Sequence, residues 1–194
     1  RSILPHASGG NLRAPGGNVS HDLESLVRSV VERVVAEAAP SGGSDRRVAI
    51  GADHGGFPLK EELRGFLEGE GWTVLDRGTC STEAVDYPDY AAAVGRAIVA
   101  GRADRGIVVC GSGAGAAIAA NKLDGIRCAQ AGDTYTAHQA VEHDNVNVVA
   151  LAARVTGVAL AEEIVMAFLD AEFVREERFV RRLNKVLELE QARS

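Results

Sequence analysis

Short apolar runs alternate with amphipathic segments from residue 47 to residue 191, and the apolar runs end in glycine or polar residues. The runs are apolar at consecutive positions, which is typical of strands buried on both faces. They predict strands over 47–53, 72–78, 106–113, 126–132 and 146–153. The segments between and after them predict helices over 58–71, 87–103, 115–122, 133–144, 159–173 and 174–191. This strict alternation predicts a Rossmann-like, doubly wound α/β domain, with a five-stranded parallel sheet and helices on both faces.

The first 46 residues follow a different pattern. Residues 1–19 are rich in Gly, Pro, Asn and Ser and are expected to be flexible. Apolar residues then recur every three or four positions, which predicts an amphipathic helix over about residues 21–39. Pro40 and a Ser/Gly linker follow it, so we expect an extension over 1–46 and a domain over 47–194. The apolar stripe of the helix either packs on this chain or a neighbouring subunit, or docks another protein.

Composition narrows the class of partner. The 194 residues include 27 acidic and 21 basic side chains, giving a net charge of −6 without a long basic run. That balance argues against nucleic acid or a membrane surface as the main partner. No stretch approaches the length of a membrane-spanning helix. The odd number of cysteines, Cys80, Cys110 and Cys128, argues against a disulfide framework and for a reducing, cytoplasmic compartment.

Two strand ends carry polar or reactive residues beside glycines. The first predicted strand ends in Asp53 and His54, which form either the polar corner of a pocket or a turn capped by its own side chains. The third runs through Cys110 into Gly-Ser-Gly-Ala-Gly over 111–115, whose backbone amides could cradle an anion. A cysteine in that field is favoured as a thiolate base or nucleophile. The alternative is a small buried residue that finishes a strand.

The same turn loosely matches a dinucleotide-binding fingerprint. Gly111, Gly113 and Ala116 have its spacing, and Asp133 follows about 20 residues later, as the fingerprint expects. Against it, the turn follows the third strand instead of opening the domain. A non-catalytic module that binds a nucleotide or a sugar phosphate therefore stays an alternative.

Further candidates lie after the fourth strand. His143 ends a predicted helix and is either a helix cap or a general acid or base near neutral pH. Arg154 ends the fifth predicted strand. Arg178 and Arg182 share one face of the last helix, where they are either solvated or placed to clamp a phosphate.

Taken together, these segments resemble the ribose-5-phosphate isomerase B family, which includes galactose-6-phosphate isomerase subunits and tetrulose-phosphate isomerases. The resemblance covers about residues 47–190 and rests on GADHGGFPLKEEL, DYPDY, IVVCGSGAGAAIAANK, GIRCA, EHDNVNVVALAARVTG and the Arg-rich tail. It implies a metal-free aldose–ketose isomerase that needs no cofactor and works through an enediolate. Ribose 5-phosphate and ribulose 5-phosphate are the implied substrates, and a related tetrose or hexose phosphate is the alternative.

The resemblance also implies a role for individual residues. Cys110 would move the proton between C2 and C1, and His143 would open the furanose ring. The Ser112 hydroxyl and the loop amides of Gly111, Gly113, Ala114 and Gly115 would stabilise the enediolate oxygen. The phosphate would be held by His54, Arg154, Arg178 and Arg182, and the sugar would contact Asp53, Tyr87 and Asp144. Family members are dimers or tetramers with sites between subunits, which implies at least a homodimer.

Three features depart from the family pattern. The chain reads His143-Asp144-Asn145 where the family reads His-Asn-Asp, which could alter the choice of sugar. The tail reads Glu-Glu-Arg-Phe over 176–179 where the family has Gly-Gly-Arg-His, so Arg181 is an alternative to Arg182. The extension resembles the encapsulation peptides that carry enzymes into bacterial microcompartments, which makes a shell or cargo protein a predicted partner of residues 21–39.

Overall fold

Five parallel strands form one sheet in the order β2-β1-β3-β5-β4. The structure is a computed structural model that describes residues 46–192. Its strands are β1 (Arg47–Ala52), β2 (Thr73–Asp76), β3 (Arg105–Cys110), β4 (Cys128–Gln130) and β5 (Val148–Ala152). Its helices are α1 (Phe57–Gly69), α2 (Tyr87–Val99), α3 (Ala114–Ala120), α4 (Thr134–Asp144), α5 (Val158–Asp170) and α6 (Glu177–Gln191).

Helices cover both faces of this sheet, which confirms the doubly wound fold predicted from the sequence. Side chains alternate across each strand, so Val48 and Ile50 pack with α1, α4 and α5 on one face. Ala49 and Val108 pack with α2 and α3 on the other face. Both halves of the core consist mainly of Val, Ile, Leu and Ala side chains, with Trp72 and Phe168 in the first half. This composition explains why the strands read as largely apolar runs.

The strand order places a crevice between β1 and β3. The chain turns to one side of β1 to form β2, and β3 then pairs with the other side of β1. In open α/β sheets, ligands bind outside the carboxyl ends of the strands at such a reversal. Ala52 and Cys110 are the last residues of these two strands. The loops that follow them therefore border the crevice.

A buried ion pair ties α1 to the end of β2. The Lys60 side chain is fully buried, and its Nζ lies 2.6 Å from Asp76 Oδ2 and 2.8 Å from Glu61 Oε1. Burial opposes the charged form, but the hydrogen bonds and charges of the two carboxylates outweigh it and raise the pKa of Lys60. Asp76 Oδ1 also accepts a hydrogen bond from Gly78 N at 2.8 Å. The ammonium group thus anchors the turn that follows β2.

We expect Asp76→Ala to lower the free energy of unfolding by about 2–3 kcal/mol, because Lys60 stays buried with half of its pairing removed. Asp104→Ala is the matched control, since Asp104 pairs with Arg47 at an exposed site. That change should cost less than about 1 kcal/mol. Urea unfolding of the two variants measures the difference. Equal losses would show that the buried pair contributes no more than the exposed one.

The predicted helix over 21–39 and the flexible segment over 1–19 fall outside the described residues, which begin at residue 46. The predicted boundary between the extension and the domain, at 46/47, stays a prediction. Across 46–192, no helix has the combination of length and apolar character that crossing a membrane requires.

Candidate active site

The loop after β1 packs directly on the end of β3. Asp53 N donates to the Val109 carbonyl at 3.2 Å, and Asp53 Oδ1 accepts from Gly56 N at 2.8 Å. A Cβ at Gly56 would lie 2.5 Å from the Val109 carbonyl oxygen, so only glycine permits this approach. The carboxylate of Asp53 is therefore held by its own loop beside the third strand.

Cys110 sits where β3 enters the glycine-rich turn. Its side chain is buried, and its Sγ accepts a hydrogen bond from Gly113 N at 3.2 Å. Gly113 has a φ of 76°, a left-handed conformation that favours glycine, and α3 begins at the next residue. A backbone N–H directed at sulfur stabilises the thiolate over the thiol. The local geometry thus suits Cys110 for proton transfer.

Tyr87 and Arg154 border the same turn from two sides. The ring of Tyr87 lies so close to Gly115 that a Cβ there would approach it to 2.8 Å. Arg154 Nε lies 3.3 Å from where a Cβ of Gly111 would stand, and Arg154 N donates to the Gly111 carbonyl at 3.1 Å. Tyr87 and Arg154 are both exposed. A phenol and a guanidinium therefore face solvent beside the loop.

His54 is fixed against the segment that leads into α2. Its Nδ1 lies 3.2 Å from both the N and the O of Val85, two residues before Tyr87. Ser112 and Ala114 are exposed on the turn. The structure thus brings together most of the sequence-predicted site. We call this set the carboxyl-edge cluster, and its members are Asp53, His54, Tyr87, Cys110, Gly111, Ser112, Gly113, Ala114, Gly115 and Arg154.

The remaining predicted residues gather around Phe179. The His143 ring stacks on the Phe179 ring with centroids 4.1 Å apart. The guanidinium of Arg178 lies 4.4 Å from that ring, and the guanidinium of Arg182 lies 6.0 Å from it. These three side chains, with Asp144 and Phe179, form what we call the amino-edge cluster. Arg181 stays the alternative to Arg182 as a phosphate ligand. Phe179, which is 2% exposed, is an addition to the predicted residues, and the sequence showed it only as a departure from the family pattern.

The two clusters lie at opposite edges of the sheet. Arg105, the first residue of β3, donates from Nη1 to the carbonyl of Val146 at 2.6 Å, only three residues after His143. Cys110 is the last residue of the same strand, five residues further on. At the rise of an extended strand, that separation is about 17 Å. One chain therefore does not bring His143, Asp144, Arg178 and Arg182 to Cys110.

Asp133, the acidic residue of the dinucleotide-binding alternative, has a structural role in this fold. Asp133 caps α4: its Oδ1 accepts from Thr136 N at 2.7 Å and its Oδ2 from Thr136 Oγ1 at 2.8 Å. These hydrogen bonds lower the pKa of Asp133. The role as a helix cap thus explains the position of this carboxylate, and no contact with a ribose is needed to explain it. Within residues 46–192, no three His, Cys, Asp or Glu side chains converge as a metal site requires.

Comparisons with known proteins show which proteins the chain is similar to. The ribose/galactose isomerase family matches residues 48–186. Ribose-5-phosphate isomerase B of Escherichia coli K12 is 41% identical over 149 residues, which are 77% of this chain and 99% of that protein. D-erythrulose-4-phosphate isomerase of Pectobacterium atrosepticum is 47% identical over 127 residues, 65% of this chain and 84% of the relative. The solved ribose-5-phosphate isomerase B of Clostridium thermocellum has 45% identity and a TM-score of 0.75, covering 76% of this chain and 99% of the other.

Proposed function

The chain belongs to the ribose/galactose isomerase family, and we propose that it is a metal-independent aldose–ketose isomerase that interconverts ribose 5-phosphate and ribulose 5-phosphate. The observation that carries this proposal is the hydrogen bond from Gly113 N to Cys110 Sγ, at the carboxyl end of β3. It directs a backbone N–H at the sulfur, at the crevice where a doubly wound sheet binds its ligand. Similarity to ribose-5-phosphate isomerase B over nearly the full length of that relative supports the choice of substrate.

In the proposed reaction, Cys110 is the base. Its thiolate removes the proton from C2 of the open-chain aldose, and the electron pair forms the C1–C2 double bond of the enediolate. The same sulfur returns the proton to C1, while the hydroxyl proton moves between O2 and O1, so no atoms are gained or lost. The Ser112 hydroxyl and the amides of Gly111, Ala114 and Gly115 stabilise the oxygen that gains charge. The Gly113 amide, expected from the sequence to join them, donates to Cys110 Sγ instead. Asp53 and Tyr87 contact the sugar.

We propose that the amino-edge cluster of one subunit completes the carboxyl-edge cluster of its partner. A five-carbon sugar phosphate is too short to contact both clusters of one chain, which lie about 17 Å apart along β3. In a two-fold dimer, the same surface of each copy meets the other, and two complete sites form. His143 would then open the furanose ring, and Arg178 and Arg182 would join His54 and Arg154 on the phosphate.

Exposed apolar side chains support the proposal that a partner subunit covers the carboxyl ends of the strands. Val155 and Val158 follow β5, and their exposed fractions are 82% and 42%. Ile118 on α3 is 63% exposed, and Tyr87 is 40% exposed. Exposed apolar side chains on α2, on α3 and after β5, the elements that follow the carboxyl ends of the strands, are consistent with an association surface there. They favour a homodimer in which this surface is buried; a homotetramer would bury further surface.

The preference of the enzyme for one sugar phosphate over another can be tested kinetically. Asp144 lies in the amino-edge cluster, and a tetrose or hexose phosphate is the alternative substrate class. We would measure kcat/KM for ribose 5-phosphate, D-erythrulose 4-phosphate and galactose 6-phosphate with excess chelator present. Ribose 5-phosphate should be preferred at least tenfold, with no loss on chelation. Preference for either of the other sugars would show that a tetrose or hexose phosphate is the substrate. Inactivation by the chelator would refute metal independence.

We propose that the extension docks the enzyme to a shell or cargo protein of a bacterial microcompartment through residues 21–39. Deletion of residues 1–46 should leave kcat/KM within about twofold, because the described domain alone supplies both clusters. The same deletion should abolish co-purification with a co-expressed shell protein. Co-purification that survives the deletion would refute the docking role.

A further inference from the structure

One peptide group connects Cys110 to a residue of the edge strand. The N–H of the Ser112–Gly113 peptide donates to Cys110 Sγ at 3.2 Å. The carbonyl of the same peptide accepts a hydrogen bond from Gln130 Nε2 at 2.8 Å. The two bonds are at opposite ends of a single amide, so the orientation of that amide depends on Gln130.

Gln130 also restricts the turn by contact. It is the last residue of β4, and its side chain reaches across the end of β5 to the turn after β3. A Cβ built on Gly113 would lie 3.2 Å from Gln130 Cγ, Cδ and Nε2 alike. The side chain therefore lies flat against the left-handed glycine whose N–H faces the sulfur. Rotation of the peptide would break the Gln130 bond and the Cys110 bond together.

We propose that Gln130 is a positioning residue for the Cys110 thiolate, a role that rests on the proposed isomerase function. A donor on the carbonyl polarises the amide and makes its N–H a stronger donor at the other end. Gln130 thus stabilises the charged sulfur while acting through the peptide, without contact with the substrate. The charged and titratable groups that border the turn are Asp53, His54, Tyr87 and Arg154, and all four are left in place when Gln130 is changed.

The test compares variants that keep the size of Gln130. Gln130→Met removes the donor, and Gln130→Glu turns it into a carboxylate facing the Ser112 carbonyl. Gln139→Met is the matched control, since Gln139 on α4 also donates from its amide, to the Tyr135 hydroxyl. For each we would measure kcat and KM for ribose 5-phosphate. The rate at which iodoacetamide alkylates Cys110 at pH 7 would be followed on the Cys110 peptide by mass spectrometry.

Gln130→Met should lower kcat and the alkylation rate by about fivefold each, the effect expected of one neutral hydrogen bond. KM should stay within twofold, and Gln130→Glu should show a larger loss of both rates. Gln139→Met should change neither rate. If Gln130→Met does not fold, Gln130→Glu decides the same question.

Unchanged kcat and alkylation in a folded Gln130 variant would overturn the proposal, and so would a rise in KM alone. The alkylation comparison does not depend on the sugar. If the wild type converts no sugar phosphate, the proposed function fails, and the alkylation rates still decide whether Gln130 positions Cys110.

Discussion

Replacing Cys110 with alanine should lower kcat for ribose 5-phosphate about 10³-fold or more, because the variant lacks the group that we propose carries the proton between C2 and C1. The substrate contacts assigned to Asp53, Tyr87 and the arginines remain, so KM should change little. Cys110→Ser keeps a side chain of similar size and should be nearly as inactive, since a hydroxyl does not ionise near neutral pH. Initial rates of ribulose 5-phosphate formation measure both variants.

The other two cysteines provide the controls. Cys128 is largely buried in β4, and burial raises its pKa to about 12, so this thiol stays protonated at neutral pH. Cys80 is exposed in the segment after β2. Cys80→Ala and Cys128→Ala should each keep kcat within about twofold. Retention of a tenth or more of the wild-type kcat in Cys110→Ala would show that another group is the base.

Mixing two inactive variants should restore activity if the site is shared. His143→Ala removes the proposed ring-opening residue of the amino-edge cluster and should lower the rate on cyclic ribose 5-phosphate about 100-fold. Cys110→Ala disables the carboxyl-edge cluster. A mixed dimer carries both changes in one site and neither in the other. With random pairing, half the dimers are mixed, so about a quarter of all sites become wild-type in composition.

The experiment is unfolding and refolding of the two variants together at equal concentration, followed by the isomerase assay. Activity should rise to about a quarter of that of refolded wild type. A mixture of Cys110→Ala with Cys110→Ser, which disables the same cluster twice, should stay inactive. If the activity of the first mixture only equals the sum of the activities of the two variants, the clusters of different subunits do not form a shared site.

The sequence predicted the sheet well because its strands carry a simple physical signal. Strands buried on both faces are apolar at consecutive positions, as in 107–110 and 148–152. The first helix was predicted to end at Gly71 and ends two residues earlier, at Gly69, while Gly71 follows with a φ of 82°. The fourth strand was predicted over 126–132 but spans only 128–130, because it pairs on one side only, with β5. A pattern of apolar residues does not indicate whether a strand pairs on one side or on both.

The candidate site was only partly predictable. Asp53 and Cys110 end neighbouring parallel strands, and topology alone brings their loops together. His143 ends a helix that runs back to the amino edge, so its distance from Cys110 in one chain follows from the fold and not from a motif. Gln130 gave no sequence signal, since its role depends on the direction of one side chain and on the left-handed conformation of Gly113.

The most direct test of proton transfer by this enzyme is NMR of ribose 5-phosphate incubated with the wild-type chain and chelator in D₂O. The mechanism predicts conversion to ribulose 5-phosphate with at most one deuterium at C1, and at most one at C2 of ribose 5-phosphate as the reaction reverses. Deuterium enters in each turnover in which the proton on Cys110 Sγ exchanges with solvent before the sulfur returns it. Cys110→Ala should catalyse neither the conversion nor the exchange. Conversion at the wild-type rate by Cys110→Ala, or no conversion and no exchange by the wild type, would contradict the assignment of this site.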